Sequence, residues 1–150
     1  MKRAAPVIAA ILLIAIGAGE ASISAQQLSA SVGRPRLETA GLLLTAAGFL
    51  ASAAIYLALG HLARDDRAAL RTGAITGVIA GLFGGTVRAI IIGGAVGDLV
   101  ARYAAVPDWF VPAALAVFVG LSCGASAAAG GALSWTGRRL SRAARSRPPA

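Results

Sequence analysis

Two residues have the chemistry to act inside an apolar setting, Glu20 and Arg88. Glu20 interrupts the stretch IAIGAGEASISA, and Arg88 interrupts GLFGGTVRAIIIGG. A carboxylate in such surroundings can carry a proton or balance a cation. A guanidinium there can bind an anion or balance a carboxylate. Left alone in hydrocarbon, an arginine costs about 2.5–3.5 kcal/mol on insertion scales, so each charge needs a partner or a route to water.

Their spacing suggests that each is the other's partner. Arg88 follows Gly73 by fifteen residues and Glu20 follows Ala5 by fifteen, which puts both about 22 Å along a helix from the same end. Helices one and three of an alternating bundle run in the same direction, so the charges share a level. The expectation is an intramembrane ion pair, in which removing one partner costs about 3–5 kcal/mol by stranding the other. The rival expectation has Arg88 snorkelling outward and Glu20 at the outer interface with Arg34 or Arg36.

Other reactive residue types give weaker patterns. HLARDDR, His61–Arg67, holds a histidine and two aspartates, but Arg64 and Arg67 flank the acids and a metal site needs more converging ligands. A charge-balanced turn is expected there, with no metal and no cofactor. Cys123 is the single cysteine, set in an apolar run where a thiol stays protonated and inert. Thr45, Ser52, Tyr56, Thr76, Thr86 and Ser126 can hydrogen-bond between helices or to their own backbone. No histidine stands near any of them, so no nucleophile–base pair forms and no enzymatic activity is expected.

These residues are set in four apolar runs: about 4–25, 39–62, 72–101 and 110–136. Hydrophobic residues make up 57% of the chain and charged ones 13%, with a mean hydropathy of +0.76. Crossing a hydrocarbon layer takes about 20 apolar residues, and each run meets that length. The expected fold is an all-α integral membrane protein, a four-transmembrane-helix bundle forming one domain over 1–150, with a basic tail at 137–150. The first run also fits a secretory leader, with cleavage after Ser24 and Ser22 two residues before it.

The third run keeps a small residue every fourth position: Gly73, Gly77, Gly81, Gly85, Ala89, Gly93, Gly97 and Ala101. Such a row resembles the glycine zippers of other membrane proteins and permits close backbone approach where no hydrophobic effect draws helices together. The fourth run has a row of its own, Ala116, Gly120, Gly124, Ala128 and Ala132. Helices three and four are therefore expected to be the closest pair, with these glycines as helix-packing residues. The paired glycines at Gly84–Gly85 and Gly93–Gly94 are read inside one long helix, because either half alone is too short to span. Asp98 and Arg102 form an i,i+4 pair near the outer surface. Asp108 of PDWF is the expected N-cap of helix four, and Trp109, Trp135 and Tyr103 are interface anchors.

Net charge is +8. Ten basic residues lie at one end of the runs (Lys2, Arg3, Arg64, Arg67, Arg71, Arg138, Arg139, Arg142, Arg145 and Arg147), against Arg34, Arg36 and Arg102 at the other. Short loops rich in Lys and Arg stay in the cytoplasm, so both termini are expected there. Thirteen arginines to one lysine, amid abundant alanine and glycine, have the look of a GC-rich bacterial genome and so of a bacterial inner membrane. Arg138, Arg139, Arg142, Arg145 and Arg147 are expected to contact anionic lipid headgroups, at about 1 kcal/mol per residue near the surface. Nucleic acid is not an expected partner, since base-stacking aromatics and recognised modules are missing.

Two functions follow from this reading. The first is a non-enzymatic packing or assembly subunit whose zipper face meets a second copy or a membrane partner. The alternative is a small transporter or channel, proton- or anion-linked, using Glu20 and Arg88. A carboxylate in the first of four short helices resembles the small multidrug resistance transporters. The aromatic residues of that family's cation site have no counterparts here, and Arg88 would repel a cation.

Overall fold

The computed structural model describes residues 4–30, 39–103 and 106–145. Lys2, Arg3, Arg34, Arg36 and Arg147 lie outside the described residues, as do the side chains of Arg102 and Tyr103. The described residues form four helices: α1 (Ala5–Ala30), α2 (Thr39–Leu62), α3 (Asp66–Tyr103) and α4 (Phe110–Arg145). All four are long and apolar enough to cross a membrane. They make a ring in which α1 packs on α3, α3 on α4, α4 on α2 and α2 on α1, with α3–α4 the most extensive contact.

Three helices exceed their expected bounds, and α1 runs on past 25 to Ala30. α3 starts at Asp66 rather than Thr72 because Asp65 caps it, its carboxylate accepting the Ala68 N–H at 2.7 Å. α4 continues past 136 to Arg145, so the described part of the basic tail is helical. The glycine pairs leave α3 unbroken, and no described glycine has positive φ. At the start of α4 the Pro107 carbonyl, not the Asp108 side chain, takes the Phe110 N–H at 2.9 Å.

Along α3 the glycines lie against α4 as far as Gly85. A Cβ on Gly81 would stand 2.6 Å from the Cys123 Cα, and one on Gly85 would stand 3.3 Å from the Ser122 Cβ. Gly73 and Gly77 meet Gly130, Ser134, Ser126 and Ala127. Gly93 meets only the tip of Leu115, and nothing described lies within 4 Å of a Cβ on Gly97.

The α4 row is a correction. Gly120 and Gly124 face no described neighbour within 4 Å of an added Cβ. The row that meets α3 is Ser122, Ser126, Gly130 and Ser134, two positions away and so about 200° around the helix. The choice follows from α2, since Gly130, Ser134 and Gly137 must admit Tyr56, Gly60 and Leu57 as well. Only the serine–glycine row serves both neighbours.

The tightest packing sits at the basic end, which holds the start of α1, the α2–α3 connection and the end of α4. Ala9, Leu13, Tyr56 and Leu59 form a buried cluster, with Ala80 and Leu133 packed against it. Ser134 is fully buried and donates through Oγ to the Tyr56 carbonyl at 3.0 Å.

Candidate functional site

Beyond that cluster the ring encloses a cavity of about 330 Å³ bounded by all four helices. Leu13, Tyr56 and Leu133 form its floor, and Glu20 and Arg88 stand toward the other end. Leu13 and Glu20 are seven residues apart on one helix, about 10 Å.

Glu20 and Arg88 come together in the cavity wall. Arg88 Nη2 donates to the Glu20 carboxylate, and Arg88 Nε donates to the Gly17 carbonyl at 3.0 Å. The two side chains are 19% and 34% exposed, respectively, so the pair borders the cavity rather than being sealed in protein. α1 and α3 run parallel, and this places the two charges at one level.

Glycines on two helices make room for the pair. A Cβ on Gly17 would stand 3.2 Å from Arg88 Nε, and one on Gly48 would overlap the Glu20 carboxylate. Neither glycine is in the four-residue rows of α3 and α4. The signal in sequence was local: Gly17 precedes Glu20 by three residues, which puts it on the same helical face.

The remaining wall carries hydroxyls. Ser52, Ser122, Ser126 and Tyr56 line the cavity, and their side-chain hydroxyls have no hydrogen-bond partner among the described residues. Several helical hydroxyls elsewhere turn back on their own backbone: Ser22 to the Ala18 carbonyl, Thr86 to Leu82 and Thr136 to Ala132. Of the polar residues singled out in the sequence, Thr45, Ser52, Tyr56 and Ser126 face this cavity and Thr86 does not. Thr76 is buried, and its Oγ1 has no partner among the described residues.

Compared with known protein families, curated proteins and solved structures, the chain finds no match. The arrangement is therefore read on its own chemistry. It offers a neutralised charge pair and hydroxyls that each can donate and accept, all on the wall of one space. Groups of this kind can bind and orient a polar molecule.

The other sequence candidates lie apart from the cavity. Cys123 Sγ stands 3.7 Å from the Val78 carbonyl at the α3–α4 contact. At the basic end, Arg138 donates to the Arg64 carbonyl at 2.6 Å, and Asp66 takes Arg142 at 2.8 Å and Arg139 Nε at 3.8 Å. Arg139 also lies over the Trp135 ring, 4.3 Å from its centre. HLARDDR thus supplies a helix cap and a docking point for the α4 extension. No group of three or more metal-ligating side chains occurs among the described residues.

Proposed function

We propose that this chain is a multi-pass membrane protein that binds a small polar-headed solute in its central cavity and carries it across the bilayer without covalent chemistry. Glu20 and Arg88 are the binding charges. The observation that carries this reading is the ion pair's position on the wall of a four-helix cavity, beside hydroxyls with no described partner. Ligand cavities are typically about 300–1,000 Å³, and this one falls at the lower end of that range.

Membrane insertion is supported by what the helices leave outside. Ile90 is 73% exposed, Phe49 70% and Leu121 69%, among many other large apolar side chains. In water such a surface would drive association; in hydrocarbon it is the natural exterior. The ten-to-three division of basic residues supports a bacterial inner-membrane protein with both termini in the cytoplasm.

The assembly-subunit reading keeps one observation in its favour. The zipper stretch Gly73–Gly85 is occupied by α4, but Gly120 and Gly124 present an outward face that another copy could meet.

Flux in proteoliposomes decides between the two. Vesicles receive gradients of radiolabelled carboxylates, phosphates and zwitterions, each with and without an alkyl tail. Uptake of at least one class is expected, with loss in Glu20→Gln and Arg88→Lys at wild-type monodisperse yield. Rates equal to empty vesicles for every class would overturn transport. If the exchange of Glu20→Arg with Arg88→Glu then restores the yield lost in single alanine variants, the pair is structural and the assembly reading gains.

A further inference from the structure

The cavity has a closed side and an open side. Its lining residues on α1 and α3 are largely buried, including Leu13, Gly17, Gly81, Gly84 and Gly85. On α2 and α4 the lining residues Thr45, Phe49, Ala125 and Ala129 are exposed. At the described glycines and in the Ser134 hydrogen bond, α2 meets α4 at or beyond Tyr56 toward the basic end: Tyr56 with Gly130 and Ser134, Gly60 with Ser134, and Leu57 with Gly137. Before Tyr56 on α2, Ser52, Phe49 and Thr45 face α4 across the cavity. The mouth is therefore a lateral gap between α2 and α4, floored by the Tyr56 cluster and flanked by Phe49.

From this we infer that the ligand is a net-neutral amphiphile with a zwitterionic head, entering sideways from the hydrocarbon through the α2–α4 gap. The inference rests on the cavity reading above and names its substrate class. In a bilayer a mid-helix mouth of this kind opens onto lipid tails, so what enters must be at home among them. Inside, the charges of Glu20 and Arg88 already cancel. A head with a net charge would add an uncompensated ion to a low-dielectric space. A zwitterionic head adds none: its cationic part faces the Glu20 carboxylate, and its anionic part takes the Arg88 N–H groups that Glu20 and Gly17 leave over. Ser52, Ser122, Ser126 and Tyr56 supply the remaining hydrogen bonds, and the tail stays at the mouth beside Phe49.

The test measures retention of radiolabelled dodecylphosphocholine by the full chain, held in an amphipathic polymer belt. Laurate and dodecyltrimethylammonium carry a tail of the same length with a net charge of either sign. Glycerophosphocholine carries the zwitterionic head without the tail. Dodecylphosphocholine should bind at least about tenfold more tightly than the other three. Ala125→Trp fills the mouth without touching the charge pair and should remove most of that binding. Ala129→Phe does the same from one turn further along, should the first variant elute aggregated. Leu121→Trp lies outside the cavity lining and should bind as wild type. Equal binding of a charged amphiphile or of the tail-less head, or full binding after both plugs, overturns the inference while the cavity reading stands. If no probe binds and no solute moves in the flux assay, both fall.

Discussion

Gly48 on α2 lies so close to Glu20 on α1 that the carboxylate occupies the space a Cβ would take. The Arg88 partner is thus held from two sides, by the guanidinium it accepts from and by a bare stretch of backbone behind it. Gly48→Ala should displace the carboxylate from Arg88 while leaving the helices in place, because the atoms that must move are the end of a flexible side chain. Alanine also gains about 1 kcal/mol of helix propensity over glycine. Thermal unfolding in detergent should shift by no more than about 1–2 kcal/mol, while solute uptake falls to the level of Glu20→Gln. Wild-type uptake in Gly48→Ala would mean that this contact does not position Glu20.

The other glycines divide by what an added methyl would strike. At Gly60 it would overlap the Ser134 carbonyl and at Gly137 the Leu57 carbonyl, so whole helices must separate. Gly60→Ala and Gly137→Ala should each cost about 1–3 kcal/mol, as overpacked cores do. Gly120→Ala and Gly124→Ala meet nothing described within 4 Å and should instead gain up to about 1 kcal/mol of helix propensity. Denaturation of the four variants in one detergent gives the comparison. A loss at Gly120 or Gly124 would show that their face is covered by another chain.

What the sequence made legible follows from how local each signal is. Run length and apolar content fixed four helices, since those depend on neighbouring residues alone. Depth along parallel helices was enough to set Glu20 and Arg88 at one level. Which face of α4 meets α3 was not legible, because an alanine-rich helix offers several four-residue rows. The choice between them was made by α2, through Gly130, Ser134 and Gly137, and no pattern within α4 reports on a third helix. The role of Gly48 was hidden for the same reason: a glycine beside a charge on another helix has no periodicity. The α4 extension escaped because its charges read as a free tail, whereas Asp66 and the Arg64 carbonyl dock it.

Thr76 is 1% exposed, and its hydroxyl has no hydrogen-bond partner among the described residues. A buried polar group left unpaired costs about 1–3 kcal/mol. Valine has nearly the same shape and no hydroxyl to satisfy. Thr76→Val should therefore stabilise the protein by about 1 kcal/mol, seen as a rise in unfolding temperature in detergent. A fall instead would show that the hydroxyl has a partner in solution.

Asp66 holds Arg142 and Arg139 against the first turn of α3, and both arginines are well exposed, at 59% and 61%. Exposed pairs contribute little to stability, about 0–1 kcal/mol, and salt screens them. Asp66→Ala should cost about 1 kcal/mol at low salt, with the lost helix-dipole term included, and less at high salt. Its larger consequence is for the membrane surface. With Asp66 gone, two guanidiniums no longer share their charge with a carboxylate, and each basic residue near an anionic headgroup contributes about 1 kcal/mol. Anionic lipid should then bind the variant more tightly than wild type. Thermal stabilisation by added anionic lipid measures this, with zwitterionic lipid as the reference. Arg138 serves as the internal control: it donates to the Arg64 backbone carbonyl, a contact that Asp66→Ala does not remove. Equal stabilisation of variant and wild type would show that Arg139 and Arg142 stay on the protein and that this end of α4 does not reach the headgroups.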